Sequence, residues 1–235
     1  MIATFINAAL VLVGSIIGLV FKNKISDRFS TVITQALALC VLGIGISNIL
    51  KTDDTLCVII CMALGTLIGE ALKIEERLDR AGEFPRRRLI RENSTSQFTE
   101  GFVTATLVYC IGAMAITGSI DAGLNHNYST IVSKGVIDGV TSISFAAAMG
   151  VGVAFSVIPL TIYQGAITLL AGVVGPYLSE TVILAMSGTG GTLIVGLALN
   201  MLNVTKVKIR VGNMLPAIFL PILYIPVVEW LSGLF

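Results

Sequence analysis

One acidic residue stands well inside an apolar stretch of this chain: Asp138, in SKGVIDGVTSISFAAAMGVG. An Asp at the centre of a membrane helix costs about 2.5–3.5 kcal/mol to insert, so it needs a partner or a task. Lys134 lies four residues earlier, on the same helical face, and Ser142 continues that face one turn on. One reading is an ion or proton site at the outer mouth of a cavity. The other is a lysine snorkelling to the interface beside an Asp about one turn from its helix start, buried by neighbouring helices.

A second group is Ser187-Gly188-Thr189-Gly190-Gly191. Each glycine weakens a helix by about 1 kcal/mol relative to Ala. An opened helix there would free carbonyls and hydroxyls for a cation, or amides for an anion. A close helix crossing, where glycine lets backbones approach, explains the same residues. Four amides complete the candidates: Asn7, Asn48, Gln164 and Asn200. They line a polar path or hold helices together, with Asn7 expected toward the outer side and Gln164 toward the inner.

Other chemistry is poorly served. The single histidine, His126, sits in the polar run DAGLNHNYST without an acidic or thiol constellation. Cys40, Cys57, Cys61 and Cys110 all lie in apolar runs and read as small apolar residues without disulfides. No catalytic triad, paired-carboxylate or redox-thiol arrangement is visible, so neither an enzyme, a metal site nor a cofactor is expected.

The elements that must position these groups are membrane helices. The chain has 235 residues, 55% apolar and 12% charged, against about 25% charged in a soluble domain. Mean hydropathy is +0.92. One soluble core could not cover so much apolar surface, which excludes an ordinary soluble enzyme, a disordered chain and a nucleic-acid binder. A net charge of +1 suggests no polyanionic partner. At about 20 apolar residues per span, eight spans are expected, near 2–21, 31–50, 55–72, 100–120, 135–157, 159–178, 181–202 and 213–233. The break between the fifth and sixth is placed at Pro159. The first span has no basic leader and reads as an uncleaved helix.

Eight spans put thirteen of the fifteen basic residues on one side, leaving Lys51 and Lys134 on the other. By the positive-inside rule both termini are then outside. The basic loop 73–99 is cytoplasmic. Its first part, KIEERLDRAGEF, continues the third helix or lies on the membrane surface, and its charges form a solvated face or touch anionic lipid. The whole chain reads as a single integral membrane domain.

Two halves of the chain align. At an offset of 157, FINAALVLVGSIIGLV (5–20) matches IYQGAITLLAGVVGPY (162–177), with Asn7 on Gln164. At an offset of 152, CVLGIGISNIL (40–50) matches TLIVGLALNML (192–202), with Asn48 on Asn200. The paired spans run in opposite directions, which is the inverted repeat of many secondary transporters. Repeat one is then about 1–72, the linking helices about 100–157 and repeat two about 159–235. The pairs Gly14/Gly18, Gly65/Gly69 and Gly135/Gly139 suggest close packing and a homodimer.

FINAALVLVGSIIG, ALGTLIGE, EGFVTATLVYCIGAMAITGSIDAGL, SKGVIDGVTSI, YQG, GGTLIVGLALNML and VGNMLPA, in this order, resemble a bacterial membrane family, domain of unknown function 554. The resemblance implies a multi-pass bacterial inner-membrane protein and carries no substrate. Together these readings predict an all-α polytopic bundle and a small secondary transporter of an ion or small solute. A passive channel and a non-transporting scaffold are the alternatives.

Overall fold

A computed structural model describes residues 1–22, 27–78, 80 and 95–232. Lys24, Arg86, Arg87, Arg88 and Arg91, with most of the 73–99 loop, lie outside the described residues, as does the side chain of Arg28. Nine longer helices organise the described chain: α1 (Ile2–Lys22), α2 (Asp27–Ile49), α3 (Thr55–Ala71), α4 (Thr95–Cys110), α5 (Ala113–Leu124), α6 (Ser129–Met149), α7 (Val157–Leu169), α8 (Glu180–Met201) and α9 (Pro221–Ser232). Short turns at Gly152–Phe155, Ala171–Val174 and Gly175–Tyr177 flank α7, and a 3-10 helix, Val211–Phe219, leads into α9. No strand occurs among the described residues.

This is a membrane helix bundle. Five helices are long and apolar enough to cross a bilayer, and two bent pairs raise the number to seven. Thr55–Ala71 is apolar but has 17 residues. Each of the eight expected segments falls on helix, while length supports five to seven crossings. The side chains are sorted accordingly. On α1, Phe5, Leu12, Val13, Ile16 and Val20 are exposed to what must be lipid, while Thr4, Asn7, Val11 and Ser15 face inward.

Two expectations about breaks are corrected. The chain breaks at Gly150 rather than Pro159, so the fifth span runs over Ser129–Met149 instead of 135–157. Gly150 ends α6 with φ 81°, a conformation suited to glycine. Pro159 lies in the first turn of α7, where a missing N–H leaves no intrahelical bond unmade. The second correction concerns Ser187–Gly191. Helix α8 is continuous across it, so those carbonyls are not freed. Its glycines are there for packing: a methyl group on Gly188 would strike Thr52, one on Gly190 would strike Ile111, and one on Gly191 would strike the Gly45 carbonyl.

A span that reads as continuous is broken instead. Helices α4 and α5 meet at 59°, with Gly112 between them at φ 149° and ψ 142°. Nothing crowds the position of its missing side chain, so the backbone angle is what requires glycine there. The 3-10 helix and α9 meet at 44°, beside Pro221.

Helix directions follow from which residues meet. Along α1 and α6, Asn7 lies against Gly135, Leu10 against Gly139, and Gly18 against Ile143 and Ala146, so the two run parallel. Along α2 and α8, Gly45 meets Val195 and Asn48 meets Ser187, so they run antiparallel. Gly65 meets Ala217 and Gly69 meets Asn213, so α3 runs antiparallel to the 3-10 helix. These contacts use Gly14, Gly18, Gly65, Gly69, Gly135 and Gly139 inside the chain. The three small-residue pairs are therefore not left on the outer surface for a second copy.

Candidate functional site

Asp138 lies nine residues after the start of α6, about 14 Å along a 21-residue helix and close to its middle. The helix start expected about one turn before it is thus corrected: the polar run before it belongs to the helix. Lys134 does not snorkel either. It is 6% exposed, Asp138 is 5% exposed, and the Lys134 ammonium donates to Asp138 Oδ2 one turn away. The same carboxylate oxygen accepts from Asn7 Nδ2 of α1 at 3.3 Å. Asn7 Nδ2 also donates to Gln164 Oε1 of α7 at 3.1 Å. Asn7 and Gln164 therefore share one depth, which corrects their expected placement on opposite sides of the membrane. Both are fully buried.

Close packing holds this junction of α1, α6 and α7. A methyl group on Gly14 would overlap the Gly139 carbonyl and Ser142 Oγ. Ser142 itself donates within 3.0 Å of the Val11 carbonyl and 2.7 Å of the Gly139 carbonyl. It clasps α1 to α6 rather than facing the carboxylate. The bend between α4 and α5 adds Tyr109 and Cys110, both within electrostatic reach of Asp138. The Tyr109 ring packs on Phe145 at a centroid distance of 6.3 Å, and its hydroxyl has no hydrogen-bond partner among the described residues. Gln164 Nε2 and Asn7 Oδ1 are also without partners among the described residues. Sequence reasoning missed Tyr109 and the bend. Gly112 in YCIGAMAIT was the available signal, and it looks like any other glycine in an apolar run.

The remaining candidates lie elsewhere. Asn48 Oδ1 accepts from Lys51 Nζ at 2.9 Å and from Ser187 Oγ at 3.4 Å, near the start of α8. Asn200, at the other end of α8, spends both amide atoms on the backbone of Ile209, at 2.8 and 2.9 Å. That pins the 203–210 loop. Thr189 bonds back to the Ala185 carbonyl at 2.9 Å. The candidate residues thus form one central cluster and two separate polar contacts, not a single lining.

Two cavities lie elsewhere in the bundle, neither lined by a residue of the central cluster. One of about 430 Å³ is lined by Asp121, Asn125, Gly172, Pro176 and Ile183 among others. The other, about 280 Å³, is lined by Glu100, Asn200, Asn203, Thr205, Lys206 and Lys208. A pocket of about 20 Å³, room for roughly one water, extends from Glu100 and Lys208 to Val103 and Leu197. Ile183 and Asn200 are 17 residues apart on α8, so the larger cavities open about 25 Å apart along the bundle. Gly190, halfway between, packs on Ile111 at the α4–α5 bend.

Known proteins place this architecture in a family. Residues 2–225 match the family model described as protein of unknown function DUF554, and the chain belongs to that family. It is 31% identical over 225 residues to the uncharacterized membrane protein YdfK of Bacillus subtilis, covering 94% of each chain. It is 27% identical over 222 residues to the uncharacterized protein YqgA of Escherichia coli, covering 93% of this chain and 94% of that one. No solved structure is significantly similar.

Proposed function

We propose that this DUF554 member is a small secondary transporter that moves an ion or small solute by alternating access. The observation that carries the reading is the Lys134–Asp138 pair, buried near the middle of α6 and tied to two other helices. Stability does not account for such a pair, because apolar residues in its place are usually as good or better. Ionisable groups inside a membrane bundle are kept for moving or binding something. A broken helix stands beside the pair, and cavities open toward both ends of the bundle. Broken helices next to a central site are how transporters bring backbone groups to a substrate.

An inverted repeat of the first three and last three spans supplies the moving parts in this reading. The antiparallel packing of α2 on α8, and of α3 on the 3-10 helix, supports it. So does the meeting of Asn7 with its repeat counterpart Gln164. The protein sits in the bacterial plasma membrane with both termini outside, and Lys206, Lys208 and Arg210 mark the cytoplasmic side. It is a carrier and not an enzyme, and its partners are the bilayer and the solute.

Reconstitution tests this. Purified protein in liposomes is supplied with sodium, potassium, chloride, small carboxylates and amino acids, and flux is followed electrically and by tracer. Saturable uptake driven by a proton or ion gradient, lost in Asp138→Asn, is expected. Conductance that rises linearly with solute identifies a channel instead. Absence of flux for every class, with Asp138→Asn unchanged in any property, leaves a scaffold.

A further inference from the structure

The central cluster holds unused hydrogen-bond donors beside its one ammonium. A carboxylate only accepts, so the Asn7 atom facing Asp138 is its NH2 group. That NH2 also faces Gln164, so the Gln164 atom it meets is the carbonyl oxygen. The relay leaves Gln164 Nε2 as an unpartnered donor in a fully buried side chain. The fully buried Tyr109 hydroxyl is unpartnered as well. Against these stands one unpartnered amide acceptor, Asn7 Oδ1. Buried polar atoms in native proteins almost always have a partner, so orphans at a candidate site point to a missing one. Asp138 Oδ2 already receives an ammonium and an amide NH2.

We propose that the central cluster binds a small monovalent anion, an inorganic anion or short carboxylate, together with one proton. The anion takes the place of the Asp138 carboxylate at the Lys134 ammonium and is met by the Gln164 amide. This rests on the transport reading and names its substrate class. In the described state the pair is neutral, one charge of each sign. An anion entering alone would leave the buried site with net negative charge, and a proton alone would leave it positive; either charge would be uncompensated. Entering together, they keep it neutral.

The step is simple in its atoms. A proton from water adds to Asp138 and makes the neutral acid. Lys134 keeps its proton and turns its ammonium to the anion. On release the acid returns its proton to water and the original pair re-forms. The charged and titratable groups around Asp138 are Lys134 on its own helix, and Tyr109 and Cys110 on α4; Tyr163 on α7 lies near Cys110. From α1 it is faced by the neutral Asn7 amide.

The test uses the full-length purified protein with chloride, nitrate, formate and acetate as N-methylglucamine salts, at pH 5.5 and 8. Binding is read by thermal shift and calorimetry. At least one anion should bind the native protein, weakening by up to about tenfold per pH unit on the alkaline side. Asp138→Asn, a permanently neutral mimic of the acid, should bind the same anion with less than about twofold change between the two pH values. Lys134→Met should not bind; where that variant fails to fold, Lys134→Met/Asp138→Asn, which carries no buried charge, takes its place. A shift by sodium or potassium instead, loss of anion binding in Asp138→Asn, or no response to any of the four anions overturns the proposal. Cation flux in liposomes that dies with Asp138→Asn overturns it while sparing the transport reading. Anion binding without flux does the reverse.

Discussion

Asn7 and Gln164 stand 157 positions apart and meet through a hydrogen bond of 3.1 Å. That separation is also the offset at which the chain aligns with itself. Residues exchanged by a two-fold axis touch only where the axis passes between them. In the proposed repeat this contact therefore marks the axis, and Asp138 is anchored beside it through the same Asn7 NH2.

The relay makes Asn7 worth more than one bond. Asn7→Leu removes the NH2 that serves both Asp138 and Gln164, leaving buried polar groups short of a partner. The expected loss is roughly 2 kcal/mol of stability. Asn7→Leu/Gln164→Leu should lose less than the two single variants added together, because the second substitution removes a group the first has already orphaned. Unfolding of the four proteins in detergent measures this. Additive losses would mean that the two amides are held independently.

The Lys134–Asp138 pair should show the asymmetry of buried ion pairs. Asp138→Leu strands an ammonium at 6% exposure and is expected to cost about 3–5 kcal/mol. Lys134→Met/Asp138→Leu should recover most of that stability while remaining inactive in flux. Thermal unfolding of single and double variants is the measurement. A double variant as unstable as Asp138→Leu would assign the pair a structural role.

How much of this could be read from the residues depends on what each signal encodes. Asn7, Gln164 and Asp138 were legible because amides and acids are rare in apolar helices. Their shared depth was not, because depth depends on helix starts. STIVSK reads as loop by polarity, yet it forms the first turns of α6, and that moves the helix start well ahead of Asp138. Glycine was the harder case. Gly188, Gly190 and Gly191 are there for close approach, whereas Gly112 is there for its backbone angle. Composition is the same in both cases, and only the neighbours of the missing side chain tell them apart. Pro159 misled for a related reason, since a proline in a first turn begins a helix as readily as it ends one.

Gly112 and Gly43 form a controlled pair. Among the described residues, neither has a neighbouring atom within 4 Å of where a side chain would begin. Gly112→Ala forces alanine into φ 149°, at an expected cost of about 1–3 kcal/mol. Gly43→Ala, inside α2, should be neutral or stabilising by roughly 0.5–1 kcal/mol. Melting temperatures of the two variants decide the matter. Equal effects would mean that the α4–α5 bend does not depend on the backbone of Gly112.

A methyl group at Gly191 distinguishes packing from helix breakage. Its Cβ would lie 2.6 Å from the Gly45 carbonyl oxygen and 2.9 Å from the Asn48 Cβ. Neither neighbour is the free end of a flexible chain, so α2 and α8 must separate. Gly191→Ala should therefore destabilise by about 1–3 kcal/mol. An opened helix would respond the other way, gaining helix propensity from alanine. The sign of the change in unfolding free energy is the readout.

The antiparallel crossing of α2 and α8 predicts which loops share a side. Thr52, just past α2, packs on Gly188 in the first half of α8, so Asp53 lies toward the end where α8 begins. Thr205 follows the other end of α8, past Met201. Cysteines placed at Asp53 and Thr205, in a background lacking Cys40, Cys57, Cys61 and Cys110, should therefore react with a membrane-impermeant thiol reagent from opposite faces. With the basic loops inside, Asp53→Cys is modified in intact cells and Thr205→Cys only after lysis. Reversed labelling would turn the orientation over and leave the bundle intact. Labelling of both from one face would contradict the crossing of α8 itself, and with it the separation of the two cavities along the bundle.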